Sequence, residues 1–230
     1  EADMDDLIAV NERYVDAEEA KRISSQIILS TTNRIADTIN RNKLAALPDP
    51  QFYSEATVTG KAQSKNFPAP EELTIKKGAQ IMMVKNNGML WVNGTIGKVV
   101  DFDEHEITVD VPSGQQTVAK EQWDVIDYKF NRTTGRVEEE VVGTFTQFPI
   151  RLAWAITIHK SQGQSFDKIS IDMGSGAVAH GQLYVALSRC RSLDGVTMRT
   201  PVDFTDLCFD QRVRSFVMKT KNPGFVQLNG

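Results

Sequence analysis

Cysteine is scarce in this sequence, and long hydrophobic runs are missing. The 230 residues include only Cys190 and Cys208, which cannot form the disulfide framework of a small secreted protein or a four-cysteine zinc site. No apolar run approaches the roughly 20 residues that a membrane-spanning helix needs. The start, Glu1-Ala2-Asp3, has neither an initiator Met nor a basic signal region. We therefore expect a cytoplasmic chain without membrane contact, and a piece of a longer protein.

The chain also lacks a strong excess of either charge. Its 26 basic and 30 acidic residues give a formal net charge of −4 at pH 7. The distribution is uneven, because residues 1–22 carry 3 basic and 8 acidic side chains, whereas residues 145–230 carry 10 basic and 6 acidic ones. A nucleic acid, if one binds, is therefore expected at the C-terminal part.

The sequence has too few prolines and too many apolar residues for a disordered chain. Its 8 prolines, 40% hydrophobic and 24% charged residues are typical of globular domains. A length of 230 residues predicts one large unit with an insert, or two units. We expect the acidic residues 1–22 to be a linker or the end of a preceding domain.

The apolar pattern predicts an α/β fold in two separated pieces. Residues 26–30 form a short apolar run of the buried parallel-strand type, and Thr31-Thr32-Asn33 can cap a helix that ends before Pro48. Alternating helices and strands return after Pro149. They are predicted as a helix at 153–162, a strand at 168–172, a helix at 180–189, a strand at 195–199 and a helix at 203–219.

Between these pieces the apolar period changes to two. Short alternating segments are separated by turn dipeptides such as Asn87-Gly88 and Ser113-Gly114, a pattern that predicts a small all-β barrel. The expected organisation is an α/β domain of residues 23–72 and 149–230, interrupted by a barrel at residues 73–148.

Polar side chains of several kinds are concentrated in residues 157–165. Hydroxyl, imidazole, ammonium and amide groups stand together at the end of a predicted helix, and Gly163 permits close approach of a polyanion backbone. This segment alone is equally consistent with an exposed polar turn that has no function.

A second informative segment covers residues 181–189. Gln182 and Arg189 are seven residues apart and share one face of the predicted helix. Arg189 is expected at the helix end facing outward, where its guanidinium can bind a phosphate through two hydrogen bonds. A structural salt bridge to a carboxylate is the alternative.

Together the two segments resemble motifs of a known enzyme family. Residues 157–163 and 184–189 resemble the fifth and sixth motifs of superfamily 1 helicases of the RecD and Pif type, in class B of that superfamily. Residues 78–83 and 92–97 are similar to the start of that family's barrel insert, and residues 29–33 resemble its fourth-motif region.

The resemblance implies a second RecA-like (P-loop NTPase-like) parallel-sheet domain with an inserted Src-homology-like barrel. It also implies ATP and Mg²⁺ as cofactors of the complete protein, and single-stranded DNA and the upstream ATP-binding domain as partners. Arg189 corresponds to the arginine finger that stabilises the transferring phosphoryl group. The nucleotide-cleft residues implied are Gly163, Gln164 and Gln182. The expected DNA-binding residues are Thr32, Asn33, Trp91, Asn93, Thr157, His159, Lys160, Ser161 and Gln162; for Trp91, base stacking and core packing both stay open.

The sequence lacks the loop that would hold the phosphates of ATP. Gly60-Lys61 and Gly97-Lys98 are not followed by the Ser or Thr of a phosphate loop. Residues 99–104 superficially match a Walker B strand, but Asp103-Glu104-His105 lies between two alternating strands and is interpreted as a hairpin tip. Ser165 stands where many other superfamily 1 motors have Glu, and His105 and His180 lack neighbours at metal-ligand spacing. We expect the ATP-binding half upstream of Glu1, and no tight ATP binding by this chain alone.

Two further hypotheses remain beside an ATP-dependent DNA helicase with 5′-to-3′ polarity. A catalytically inactive nucleic-acid-binding or assembly module would retain the fold without the enzyme activity. The barrel, with its mixed acidic and basic residues, permits docking of protein partners. The complete gene would separate the first two hypotheses, because only the helicase requires a phosphate loop.

Overall fold

The computed structural model describes residues 4–23, 26–60, 67–131, 135–207 and 212. In chain order the helices in these ranges are α1 (Met4–Asn11), α2 (Ala17–Arg22), α3 (Asn33–Ala45) and α4 (Gln182–Leu187). The strands in these ranges are β1 (Ile27–Ser30), β2 (Phe52–Glu55), β3 (Thr57–Gly60), β4 (Glu72–Ile75), β5 (Gln80–Met83), β6 (Ile96–Phe102), β7 (Glu106–Val111), β8 (Gly114–Ala119), β9 (Glu121–Asn131), β10 (Arg136–Gln147), β11 (Ile150–Leu152), β12 (Ala155–Thr157), β13 (Ile169–Asp172) and β14 (Val196–Met198).

The chain divides into two compact units. The first comprises residues 1–39 and 155–230, and the second comprises residues 40–154. The second unit is therefore inserted in the chain between the two parts of the first. It begins earlier than the predicted insert at 73–148, because β2 pairs with β4 and β3 pairs with β10.

A parallel sheet forms the centre of the first unit, in the order β12-β1-β13-β14. Its strands are almost fully buried: Leu29, Ile169 and Ile171 have no exposed surface. A continuous apolar sequence is typical of strands covered on both faces and correctly predicted β1, whereas β13 and β14 were predicted from segments in which apolar and polar residues alternate. The mixed α/β class with a parallel sheet is confirmed.

The predicted helix at 153–162 is wrong. Residues 155–157 form β12, and only His159–Ser161 make one turn of 3-10 helix. Every residue from Ala153 to Ile158 is buried, as in a strand covered on both faces. The β-branched Ile156, Thr157 and Ile158 are the residues that favour a strand here.

Helix α3 follows β1 directly. The Ile35 N–H donates a weak hydrogen bond to Thr32 Oγ1 at 3.4 Å, which is N-cap chemistry. Ala36 packs with Ile28 and Ala155, so the helix covers the sheet. Helix α4 ends at Leu187, two residues before the predicted end, and of the helix predicted at 203–219 most lies outside the described residues.

The second unit consists of β-strands packed around an apolar core. Its described sheets have the orders β11-β5-β6-β7-β8, β3-β10-β9 and β2-β4. Ile81, Met83, Ile107, Val109 and Phe148 are almost completely buried between them. The prediction of a hairpin tip at Asp103–His105 is confirmed, because β6 and β7 pair on either side of it.

One buried polar side chain, Gln147, joins several segments of the second unit. Its Oε1 accepts hydrogen bonds from Ser54 Oγ at 3.0 Å and from the Phe148 N–H at 2.9 Å. Its Nε2 donates to the carbonyl oxygens of Ser54 at 3.0 Å and Glu71 at 3.2 Å. Gln147 has no exposed surface, so this network is structural.

Candidate nucleotide and single-strand site

The C-terminal edge of the parallel sheet positions the candidate site. Ser30, the last residue of β1, pairs in register with Thr157, the last residue of β12. The Ile158 N–H donates to the Ser30 carbonyl oxygen at 2.9 Å, so the loops that follow the two strands begin side by side. In open α/β sheets, ligands bind at the carboxyl ends of the strands.

The loop after β12 contains two kinds of residue: buried ones that fix its conformation and exposed ones that solvent can reach. Thr157 Oγ1 accepts a hydrogen bond from the Lys160 N–H at 3.3 Å, and Ser161 Oγ donates to the Ile158 carbonyl oxygen at 2.7 Å. Both hydroxyl-bearing residues are buried, whereas His159 and Lys160 are exposed. Thr157 and Ser161 therefore hold the loop, and His159 and Lys160 present its polar groups.

Lys160 also connects this loop to the start of α3. Its Nζ donates to Asn33 Oδ1 at 3.1 Å. Asn33 is the first residue of a 13-residue helix, next to the capping residue Thr32. The helix N-terminus carries partial positive charge and the Lys160 ammonium a full one, so this corner of the sheet edge favours an anion.

The loop continues through Gln162, Gly163 and Gln164. Gln162 and Gly163 are exposed, and Gly163 has a φ of +80°, a left-handed conformation that other residues adopt only with strain. Gln164 Nε2 lies 3.4 Å from the Lys160 carbonyl oxygen, to which it donates. A glycine at this place allows the chain to turn back toward the sheet.

Gln182 ties the start of α4 to the loop after β1. Its Nε2 donates to the Thr31 carbonyl oxygen at 3.1 Å, and its Oε1 accepts from the Val178 N–H at 2.9 Å. The structure thus brings the residues around Thr31 and the beginning of α4 to the same edge of the sheet.

Arg189 follows α4 and folds back onto it instead of pointing freely outward. Its Nε donates to the Val185 carbonyl oxygen at 3.1 Å, and its Nη1 donates to the Gln164 carbonyl oxygen at 3.2 Å. Its Nη2 donates to Ser188 Oγ at 3.0 Å. Among the ion pairs of the described residues, none involves Arg189; the neighbouring Arg191 pairs with Asp167 instead.

The backbone joins the two motif segments beside Arg189. The Phe166 N–H donates to the Arg189 carbonyl oxygen at 2.8 Å, and the Arg191 N–H donates to the Phe166 carbonyl oxygen at 3.1 Å. Sequence reasoning missed Ser188 and the Gln164 carbonyl as acceptors for Arg189. The hydroxyl directly before Arg189 was the available signal for Ser188; no signal exists for a backbone carbonyl 25 residues away.

Trp91 and Asn93 belong to the other unit. Trp91 is only 6% exposed, packs in the apolar core and donates its indole N–H to the Lys85 carbonyl oxygen at 3.1 Å. A buried ring offers no face to a base, so the DNA-binding role expected for Trp91 is wrong. Asn93 is exposed and stays a prediction; its backbone N–H donates to Asn86 Oδ1 at 2.7 Å.

Asp172, at the end of β13, and Arg199, directly after β14, are partly buried. Burial lowers the pKa of the Arg199 guanidinium, and Asp172 acts in the opposite direction. Within the described ranges, no three His, Cys, Asp or Glu side chains converge as a metal site would require. No helix in those ranges is long and apolar enough to cross a membrane.

Known proteins of similar sequence include ATP-dependent DNA helicases. The ATP-dependent DNA helicase Pif1 of Bdellovibrio bacteriovorus is 36% identical over 168 residues, which cover 70% of this chain and 36% of that protein. Over this part, the chain is homologous to Pif1 DNA helicases. No protein-family model matches it.

Solved Pif1 structures extend the similarity to nearly the whole chain. Unliganded Pif1 from Bacteroides sp. superposes with a TM-score of 0.81 at 29% identity, covering 97% of this chain and 52% of that one. Bacteroides Pif1 in complex with ADP-AlF3 and single-stranded DNA gives a TM-score of 0.74 at 29% identity, covering 97% of this chain and 51% of that one. The chain therefore spans about half the length of these Pif1 chains.

Proposed function

We propose that this chain is the second RecA-like motor domain, with an inserted Src-homology-like barrel, of an ATP-dependent DNA helicase that moves 5′ to 3′ on single-stranded DNA. The observation that carries the proposal is the meeting of three segments at one sheet edge. Residues 31–33, 157–164 and 182–189 are joined there by the hydrogen bonds Lys160–Asn33, Gln182–Thr31 and Arg189–Gln164. The Pif1 homologues support the same activity.

In this proposal, the chain forms one wall of the nucleotide cleft. ATP, when bound, would supply the phosphoryl group, and Mg²⁺ would neutralise part of its charge. The polar groups of Gln182 and Arg189 at the sheet edge fit a phosphate-binding wall. Gly163 and Gln164 lie next to Arg189 in this wall. In this proposal the guanidinium of Arg189 gives up its hydrogen bonds to the carbonyl and hydroxyl oxygens and binds the transferring phosphoryl group. A charged phosphate oxygen binds a cation more strongly than a neutral carbonyl does.

Single-stranded DNA is proposed to lie along the other part of the same edge. His159, Lys160 and Gln162 are exposed there, and Lys160 already contacts Asn33 at the start of α3. Ammonium and amide groups beside a helix N-terminus suit phosphate contacts, which position the strand without reading its sequence. Thr157 and Ser161 act indirectly in this proposal, by holding the loop. The exposed Asn93 is retained as a further DNA contact from the inserted unit.

Nucleotide and DNA are coupled through residues 164–166. This segment ends the DNA-facing loop and contacts Arg189 through the Gln164 carbonyl and the Phe166 backbone. A shift of the loop on DNA binding therefore changes the hydrogen bonds that hold the Arg189 side chain. DNA stimulation of ATP hydrolysis is the expected result.

Unwinding by the complete protein tests this proposal. ATP-driven separation of a duplex with a 5′ single-stranded tail is expected, together with ATP hydrolysis stimulated by single-stranded DNA; a duplex with only a 3′ tail is the matched control. Preference for the 3′ tail would overturn the polarity. DNA binding without ATP hydrolysis would instead favour an inactive binding or assembly module.

A further inference from the structure

The end of the β9–β10 hairpin forms a ribbon that extends beyond its sheet. Strand β10 pairs with β3 only from Gly143 to Thr146, so beyond Gly143 its partner among the described strands is β9 alone. Residues 126–130 and 136–141 are exposed along this ribbon. A two-stranded ribbon without a packed face is only marginally stable in water.

A β-bulge gives the ribbon one apolar face. The register between β9 and β10 shifts between Val141 and Gly143, which makes Val142 an extra residue. Because side chains alternate between faces, this insertion moves Val137 and Val141 to the side of β9 that carries Ile126, Tyr128 and Phe130. The cross-strand pairs are Val137 with Phe130 and Val141 with Ile126. These five residues are called the apolar ribbon face below.

The apolar ribbon face is open to solvent. Tyr128, Phe130 and Val137 are each 63% exposed, and Val141 and Ile126 are 58% and 42% exposed. A contiguous group of exposed aromatic and β-branched side chains marks a protein contact more often than an ordinary surface, and tyrosine is enriched among residues that dominate binding energy.

The surrounding charge selects the kind of partner. Residues 121–147 contain six acidic and three basic side chains, a net charge of −3. Glu139 lies on the same side of the ribbon as these five residues, opposite Tyr128. On the other face, Lys129 forms an ion pair with Glu140, which raises the pKa of that lysine. A nucleic acid and a second copy of the same ribbon would both meet repulsion here.

We propose that the apolar ribbon face is a docking surface for a segment of another protein that presents apolar side chains with lysine or arginine between them. Its apolar residues cover Tyr128, Phe130 and Val137, and a basic residue pairs with Glu139. This inference does not depend on the proposed helicase activity, because it rests on the second unit alone.

Peptide binding to the complete chain tests the docking surface. The probe is a fluorescein-labelled extended peptide of about twelve residues, in which every second residue is apolar except for one lysine at the middle of that series, with serine at the positions between, so that the lysine and the apolar residues share one face. Its matched control has glutamate in place of that lysine. Fluorescence anisotropy should show that the lysine peptide binds about tenfold more tightly than the glutamate control peptide.

Variants of the ribbon separate its two contributions. Tyr128→Ser with Phe130→Ser should weaken binding of the lysine peptide about tenfold, with an unchanged melting temperature as the folding check. Glu139→Lys retains every apolar residue and should weaken binding about threefold. Glu104→Lys, in the β6–β7 turn, is the matched charge control and should have no effect.

Several results would overturn the proposal. They are absence of lysine-peptide binding, equal binding of the two peptides, binding unchanged by both ribbon variants, and displacement of the peptide by single-stranded oligothymidylate. Concentration-dependent dimerisation that Tyr128→Ser with Phe130→Ser abolishes would also overturn it, because a second copy would then cover the face.

Discussion

Two glutamines show how the two units use the same side chain differently. Gln147 in the second unit has no exposed surface and uses both ends of its amide to join strands and loops. Gln182 in the first unit is partly exposed and makes its two hydrogen bonds at the edge of the parallel sheet. Burial decides the role: polar groups in the second unit's core stabilise the fold, whereas those at the sheet edge remain accessible to a ligand.

The largest expected effect is at the sheet edge. In the complete protein, Arg189→Ala should reduce ATP turnover with saturating single-stranded DNA by on the order of 10³ to 10⁵, the contribution of an arginine finger. Stability should hardly change, because the side chain is only partly buried and leaves no core cavity. Steady-state ATP hydrolysis and a melting curve measure the two quantities.

Arg191→Ala is the matched control for this prediction. Arg191 stands two residues away and is ion-paired with Asp167 at 2.5 Å on an exposed surface. Such a pair contributes only about 0 to 1 kcal/mol to stability. A loss of turnover below tenfold for Arg189→Ala, or a strong fall in its melting temperature, would contradict this prediction. Arg189 would then stabilise the fold, as a side chain in the core does.

The second effect concerns the buried glutamine. Gln147→Ala should lower the free energy of unfolding by about 3 kcal/mol, because it leaves several buried donors and acceptors without partners. Gln182→Ala should cost less than about 1 kcal/mol, since water can replace its hydrogen bonds. Urea unfolding followed by circular dichroism reports on both units, and tryptophan fluorescence reports on the second unit alone, because Trp91, Trp123 and Trp154 all lie within it. Equal losses would contradict the contrast between the two glutamines.

A third prediction concerns DNA affinity. Lys160→Ala in the complete protein should weaken single-stranded DNA binding and reduce the salt slope of log K by about 0.7, the value for one phosphate contact on a single strand. Lys168→Ala is the control, because Lys168 precedes β13 at the opposite edge of the sheet. Unchanged affinity and slope for Lys160→Ala would place the DNA elsewhere.

The smallest effect is at a surface turn of the second unit. Hydrogen bonds from the backbone N–H groups of His105 and Glu106 lower the pKa of Asp103. A carboxyl whose folded pKa is depressed stabilises the fold above its unfolded pKa, and this stabilisation is lost as the pH falls below the ordinary value of 3.8. Asp103→Ala should therefore lower the melting temperature slightly at pH 7, with the difference disappearing at low pH. Glu104→Ala, which removes the exposed neighbouring carboxylate from the same turn, is the matched control.

The sequence predicted the sheet better than the site geometry. A continuous apolar run identified β1, which is buried on both faces, and alternating apolar residues identified β13 and β14. The same burial misled the interpretation of residues 153–162, where the apolar pattern of a buried helix and that of a buried strand are alike. Trp91 was undecidable, since turn dipeptides on both sides do not show whether a ring lies in the core.

Long-range hydrogen bonds mark the limit of prediction from sequence. The contact of Arg189 with the Gln164 carbonyl depends on how two loops meet, and no local pattern encodes it. The apolar ribbon face depends on a single extra residue, Val142, which reverses the alternation of β10 relative to β9. Alternation within either strand alone does not reveal this change.

Binding of a transition-state analogue tests the central claim most directly. The complete protein, with single-stranded DNA, is titrated with MgADP and with MgADP plus aluminium fluoride, for the unaltered chain and for Arg189→Ala. A finger that acts only on the transferring phosphoryl group predicts ADP affinity unchanged within about threefold and analogue affinity lowered by about a hundredfold or more. Equal changes in both affinities, or no change in either, would contradict the assignment of this sheet edge as half of an ATP-hydrolysing site.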